Sequence, residues 1–455
     1  MKQFGIPILL SAALAVGAFT GCANVSSASA SDMISSSSSA VAADTASSMG
    51  SAAVPSDAAA QGSMGSMGAM GAMGGMEMTR SSYATEPASG SILDTSSLFT
   101  DRDLEQTDDT SNATKITLES GKDVTISEEG VYVVSGTATD CTITVDADSS
   151  AKVQIVLDGA SITNEDAPAI YVASADKVFV TTASGSTNEL AVTGEFAAIG
   201  DETNVDGVIF AKDDLVLNGT GTLVVNSSVK GIVGKDDVKV TGGTYQITAG
   251  EHGIQGKDSV AIADGTFDIT AGTDAIHAKN TDDLTLGYVY IADGTFNLNG
   301  GSDGIEGYAV VQIDGGSITI DSEEAIEGTY VQINGGTIDV TASDDGINAS
   351  DKSTEYDIVL EINGGDLTVN MAQGDTDALD SNGSLFITGG TVNITGQSAF
   401  DYAAYASMTG GTVTVNGQQV TEITASMMGG GMGGPQGGMG GPQGDMGGGP
   451  QGGMR

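Results

Sequence analysis

Carboxylates recur in this chain at a spacing that could hold metal ions. An acidic residue, a small residue and an apolar residue, often followed by a second acid, read Asp274-Ala275-Ile276-His277, Asp303-Gly304-Ile305-Glu306, Glu324-Ala325-Ile326-Glu327, Asp345-Gly346-Ile347-Asn348 and Asp377-Ala378-Leu379-Asp380. Earlier copies are Asp206-Gly207-Val208, Lys230-Gly231-Ile232 and His252-Gly253-Ile254, and Ser398-Ala399-Phe400-Asp401 is a degenerate last one. If the copies stack, Asp206, Asp274, Asp303, Glu324, Asp345 and Asp377 form one column, interrupted by Lys230 and His252. A second column holds His277, Glu306, Glu327, Asn348, Asp380 and Asp401, with Glu323, Asp344 and Asp375 adding oxygens beside the first. Like charges one strand apart, about 4.8 Å, repel by about 1 kcal/mol in water and several-fold more near a protein surface. A hard divalent cation relieves this. Calcium takes about six to eight oxygens in flexible geometry, whereas magnesium needs a strict octahedron. The expected ligands of Ca2+ are therefore Asp274, Asp303, Glu306, Glu324, Glu327, Asp345, Asp377 and Asp380, densest from Asp303 to Asp380. A plainer reading stands beside this one: Asp and Asn are turn formers, and an acidic edge can serve solvation alone.

The elements that must position these acids carry their own period. Gly-Gly-Thr or a variant ends at Thr222, Thr244, Thr266, Thr295, Ser317, Thr337, Asp366, Thr391 and Thr412, mostly at steps of 20 to 22 residues. The longer steps, Thr266 to Thr295 and Thr337 to Asp366, have the form of the same step with a loop inserted. After each Thr, apolar residues alternate, as in Thr244-Tyr245-Gln246-Ile247-Thr248, a strand period rather than a helix period. Gly, Asp and Asn divide each repeat into two or three such runs. A repeat of this size built from short strands predicts an all-β solenoid, a parallel β-helix. The less regular runs from Ala113 to Val180 suit a terminal cap.

Composition narrows the function classes. The 455 residues include 60 Asp plus Glu against 15 Lys plus Arg, a net charge of −45, which excludes a nucleic-acid binder. Anionic polymers and membranes are disfavoured unless a cation bridges them. With 67 Gly, 10 Phe and no Trp, thin coils of Val, Ile and Leu fit better than one large globular core. Residues 1–22 have a weak positive start and a short apolar run from Ile6 to Phe19, too short to span a membrane, and end Ala18-Phe19-Thr20-Gly21-Cys22. Small residues before a cysteine resemble a bacterial lipobox, although Phe19 stands where Leu is usual. The expectation is lipidation at Cys22 and display outside the cell, anchored by lipid, or secretion if the lipobox is unused. Residues 23–110 and 426–455, rich in Ser, Ala, Gly, Met, Pro and Gln, are expected to be a disordered linker and tail flanking a domain over 111–425. Cys141, left without a partner, is expected to be a small buried residue.

The ordered set Ile126-Ser127-Glu128-Glu129-Gly130-Val131-Tyr132, Val153-Gln154-Ile155-Val156-Leu157-Asp158-Gly159, Ala167-Pro168-Ala169-Ile170, Asp206-Gly207-Val208-Ile209, Lys230-Gly231-Ile232, Lys257-Asp258 and Asp345-Gly346-Ile347-Asn348-Ala349 resembles a known family. It is the carbohydrate-binding parallel β-helix domain of clostridial surface proteins, described as binding cellulose and acidic pectic polymers. The resemblance runs from Ile116 to about Thr424. It implies a right-handed parallel β-helix, bound calcium and a polysaccharide partner; it does not imply catalysis.

Three functions follow as expectations. In the first, a calcium-loaded binding module lies along a linear polysaccharide, with Tyr288, Tyr290, Tyr308, Tyr330 and Tyr356 as candidates to stack on sugar rings. In the second, a calcium-dependent polysaccharide lyase uses Lys257, Lys279 or Lys352 as base. In the third, the solenoid is an adhesin or spacer without a glycan ligand. The two histidines, His252 and His277, sit on different columns with no Cys or third His, so a zinc site is not expected; His277 is expected to donate a hydrogen bond within the acidic ladder. The Met-rich stretch from Met64 to Met76 is a spacer rather than a copper site.

Overall fold

A computed structural model describes residues 82–107, 109–200, 202–374 and 376–425. The leader with Cys22, the linker up to residue 81, the tail from 426 and Asp375 lie outside the described residues. Among the described residues the strands form one continuous parallel sheet wound into coils, with a single antiparallel pair at the end, Thr412–Val415 with Gln418–Val420. One coil consists of Lys230–Gly234, Asp237–Val240 and Thr244–Ala249. Each strand pairs in parallel with its equivalent in the next coil: Ile254–Gly256, Ser259–Ile262 and Thr266–Ala271. The solenoid therefore has three strand ladders, the larger of the two numbers the repeat allowed.

The ladder that follows each Gly-Gly-Thr turn alternates buried and exposed residues, because one of its faces is in water. Its inward residues stack by type. Tyr245, Phe267 and Phe296 form a column with ring centroids 5.2 and 4.6 Å apart. Ile318, Ile338, Leu367 and Val392 continue it. From the turn at Thr244 onward the last glycine of each turn has positive φ, +104° at Gly243, +96° at Gly316 and +83° at Gly365. Only glycine holds that backbone without strain, which is why the phrase recurs.

A second ladder, typified by Tyr288–Ile291 and Val359–Ile362, is buried on both faces. Residues 82–107 cover it. Composition placed this stretch in the linker over 23–110, and here the structure differs from that expectation. The segment runs as a strap from the late coils to the early ones. The Ser384 hydroxyl donates to the Ala84 carbonyl at 2.7 Å, and the Glu361, Gln332 and Gln312 side chains accept from the amides of Ala88, Ile92 and Leu93 at 3.1, 3.0 and 2.9 Å. Further on, Phe99 packs on Tyr290, Lys177 pairs with buried Asp103 at 3.2 Å, and Gln106 reaches the Thr241 carbonyl at 2.9 Å. Low hydrophobicity hid this order, because the solenoid's buried side chains satisfy the strap's backbone.

The third ladder has short strands and carries the acidic phrases. Its register places Ile232 opposite both Ile209 and Ile254, so Lys230 pairs with Gly207 and Asp206 sits one residue outside the column expected for it. Lys230 still reaches the Asp206 carboxylate at 2.6 Å. The two long steps are loops, as expected: residues 279–287 lie between Ile276–Ala278 and Tyr288–Ile291, and residues 350–358 between Ile347–Ala349 and Val359–Ile362. The loops touch across the two coils between them, where the Ser353 hydroxyl donates to the Leu284 carbonyl at 2.6 Å and the Tyr356 hydroxyl to the Thr285 carbonyl at 3.1 Å. Cys141 is buried with a free thiol, and its Sγ lies 3.1 Å from the Lys122 carbonyl.

Candidate metal centre

Strand register aligns Asp303 with Glu324, and Glu306 with Glu327, then Asn348, then Asp380. In each phrase the apolar residue points into the core; Ile305, Ile326, Ile347 and Leu379 are fully buried. The residues two before and one after it face outward together, so two columns run side by side along one edge. Asp274, Asp303, Glu306 and Glu327 are less than one tenth exposed. Glu324, Asp345, Asp377 and Asp380 are half-buried. All eight expected ligands thus lie on the same edge. Oxygens of Asp274, Asp303 and Glu306, and of Asp303, Glu324 and Glu327, lie within 4.8 Å of one another.

The columns are not uniformly acidic in effect. At the early end His252 and His277 hold Asp274 between them, Nδ1 to Oδ2, at 3.0 and 2.8 Å. His277 Nδ1 also lies 2.6 Å from Glu306 Oε2. Lys352, from the second long loop, bridges Glu306 and Glu327, and the Ser350 hydroxyl donates to Glu327 at 2.7 Å. The histidines do come from different columns, and the two columns bring them together: they stack at 4.3 Å, ring on ring. Their sequence separation of 25 is one 22-residue coil plus three, the step from the first column to the second. That arithmetic was available in the sequence. The bridge made by Lys352, a residue the sequence offered only as a candidate base, was not, because an inserted loop has no register with the coils.

Electrostatics divide the ladder accordingly. Burial opposes ionisation of Asp274, but the two rings outweigh it and hold the carboxyl well below the usual range. Burial alone would discharge His277; the Asp274 and Glu306 carboxylates reverse this and push the ring up to about 9. Glu306 is likewise lowered against its burial by His277 and Lys352. Where these cations do not dominate, the acids go the other way. Burial, then the neighbouring carboxylates, push Asp303 up to about 8, Glu324 to about 7 and Asp380 to about 7. Burial raises Asp345 to about 6. Asn348 donates to Glu324 at 3.1 Å, while its own Oδ1 is buried without a partner. Hard oxygens, crowded, partly desolvated and including one orphaned acceptor, are the donor set a calcium ion takes. The residues present fit that ion.

The tyrosines divide too. Tyr290 and Tyr330 are buried, and Tyr330 hydrogen-bonds Glu361 beneath the strap, so neither can meet a sugar. Tyr288 and Tyr356 are partly buried and, like Ala84, Ala88, Ile92 and Leu93 of the strap, pack on the cluster of Ala309, Val310, Tyr330, Val359 and Phe386. Tyr308 is half-exposed, with Lys279 Nζ 4.9 Å from its ring centroid. An open groove of about 380 Å³ crosses four coils beside the ladder, lined by Asn299, Asp321, Thr341, Asn370 and Met371 among others. Nothing in the alternating strands had marked it.

The fold and its edge define a class, that of parallel β-helix proteins with carboxylates paired along successive coils. Within that class, the chain belongs to the family described as carbohydrate-binding domain-containing protein, which matches residues 120–378 and 323–431. A relative of that description from Acetivibrio thermocellus is 36% identical over 127 residues, which make up 27% of this chain and 44% of the relative. The chain thus spans less than half the length of the curated relative it matches. A solved structure, the polysaccharide lyase-like protein from C. thermocellum in a gadolinium derivative, is 26% identical and covers 66% of this chain and 96% of its own. Its TM-score of 0.38 is too low to carry any site across.

Proposed function

We propose that this protein is a calcium-dependent polysaccharide-binding protein displayed on the outer face of a bacterial cell through lipid on Cys22. The single observation that carries the calcium half is the run of crowded acids, Asp303, Glu324, Asp345 and Asp380, beside the unpartnered Asn348 Oδ1. Asp303, Glu324, Glu327, Asp345, Asp377 and Asp380 would hold the ions, with Asp274 and Glu306 engaged at the early end by histidine and lysine. Bound calcium supplies positive charge to an edge that otherwise repels uronate carboxylates. Membership of the carbohydrate-binding family supports a glycan partner, and the axial groove offers amide, hydroxyl and carboxylate groups on successive coils.

Binding is preferred to lyase chemistry on one geometric ground. A lyase base must be able to shed its proton. Lys352, the lysine nearest the acids, is held between Glu306 and Glu327, which raise it well above its ordinary value against its burial. Lys257 is also raised, by the Asp282 carboxylate.

Calorimetry with calcium alone tests the ion. Heat of binding and a rise in melting temperature at millimolar calcium are expected; neither appearing would sink the reading. For the partner, chelation is expected to abolish retention on polygalacturonate and to spare a neutral glucan. For display, Cys22→Ser is expected to release the protein into the medium.

A further inference from the structure

The chain contains two histidines, and the fold stacks them on one carboxylate. His252 Nδ1 and His277 Nδ1 lie 3.0 and 2.8 Å from the same oxygen, Asp274 Oδ2, and His277 Nδ1 lies 2.6 Å from Glu306 Oε2. We propose that His252, Asp274, His277 and Glu306 form a site for a borderline first-row divalent cation of the zinc type, distinct from the all-oxygen calcium ladder.

Two nitrogens and two carboxylate oxygens suit zinc, copper or nickel, whereas calcium favours oxygens. Ligands about 2.0–2.2 Å from a tetrahedral zinc are separated from one another by roughly 3.3 Å. The observed contacts are about 0.3 to 0.7 Å shorter than that, so the ligands would spread on binding; His252, Asp274 and His277 already present ligand atoms within 4.8 Å of one another, and Glu306 Oε2 adjoins the His277 nitrogen. An independent observation points the same way. His277 is 6% exposed, and its Nδ1, although close to two carboxylate oxygens, is aligned for a hydrogen bond to neither. A single ring N–H cannot serve both oxygens; a cation between them is met by all three atoms. The Thr273 hydroxyl lies 3.0 Å from His252 Nδ1, a hydrogen bond that a cation at this nitrogen would replace. Glu306 offers Oε2 to this site while Oε1 faces Lys352, so the lysine closes the site on the ladder side. The ligands come from three successive coils, and a cation here joins them where the acidic columns begin. Binding displaces the proton otherwise carried by His277.

The experiment titrates the whole chain with zinc alone against a chromophoric chelator, and separately with calcium. The same titrations follow for His252→Gln/His277→Gln and for Asp345→Asn/Asp380→Asn. One zinc per wild-type chain is expected, with affinity falling at least tenfold in the histidine variant and unchanged in the aspartate variant. The calcium midpoint should show the opposite pattern, so the two readings stand or fall separately. Long-range nitrogen–proton NMR of the wild type guards against a misfolded variant, since the chain's two imidazoles give two signal sets and zinc should move Nδ1 in both. No zinc uptake, uptake unchanged in the histidine variant, or unmoved imidazole signals each overturn the proposal. So does loss of both metals together in the histidine variant, which would mean one shared site.

Discussion

One outward position on the short ladder carries two chemistries. In the early coils it holds Tyr171, Phe210 and Val233; in the later ones it holds Glu306, Glu327, Asn348 and Asp380. The backbone pairing is the same in both. The early side chains form an apolar cluster with Val205, joined by Ala173 and Ile199, and Lys235 sits 5.1 Å from the Phe210 ring centroid. The late ones face one another as acids and rely on Lys352, His277 and, on our reading, calcium. A solenoid coil thus tolerates almost any residue at this position provided its neighbours above and below are chemically matched. The early half is matched by dispersion and burial, and the late half by charge. Only the second kind of match depends on pH and ions.

This contrast is open to direct attack. The largest effect is expected from Phe210→Ala, which should cost about 3–5 kcal/mol in denaturant unfolding, as cavities of that size do. Its calcium midpoint should be unchanged; a shifted midpoint would mean the halves are coupled. Next, Lys352→Ala leaves Glu306 and Glu327 opposed and should cost on the order of 3 kcal/mol in chelator. Millimolar calcium should recover part of this, and equal loss with and without calcium would place these two acids beyond the ion's reach. Asp303→Asn should act with the opposite sign. It removes an acid that must take up a proton to fold at neutral pH, stabilises the calcium-free protein by about 1 kcal/mol and weakens calcium binding. Destabilisation in chelator would show that the repulsion is already relieved.

The contrast can also be read from pH dependence. Asp303, raised to about 8, keeps its proton when folded and loses it near 4 when unfolded, so stability falls as pH rises from about 4 to 8. His277, raised to about 9, contributes stability below about 6.5 that is lost as pH rises through 9. The two add. Asp274, lowered, contributes above about 4 and loses that only at lower pH. In chelator the melting temperature should therefore fall from pH 5 to pH 8, and calcium should flatten the curve. A melting temperature that rises over this range in chelator would contradict the assignment.

Much of this was legible in the sequence because a solenoid writes its geometry as a period. The Gly-Gly-Thr turns marked the coil boundaries, the alternation after them marked the buried faces, and the step from Asp303 to Glu324 to Asp345 put carboxylates in columns. What escaped were contacts without a period. Lys352 enters from an insertion, and the His252–His277 stack needs two columns to be seen side by side rather than in projection. The shift of Asp206 by one residue shows that three-residue phrases fix register less firmly than inward Ile209, Ile232 and Ile254 do. The strap over residues 82–107 was missed because its own side chains bury little; buried Gln312, Gln332 and Glu361, on strands far along the chain, hold it.

That strap has a consequence for how the molecule is made. Ala84 is synthesised 300 residues before Ser384, whose hydroxyl it accepts, and its neighbours meet Glu361, Gln332 and Gln312 in descending order. Coils can add one upon another as the chain emerges, each templated by the last, but the first described segment must wait for nearly all of them. Its docking is a late checkpoint: a chain that stops short of the last coils leaves the earliest segment without its final anchor and the outer face of the second ladder bare.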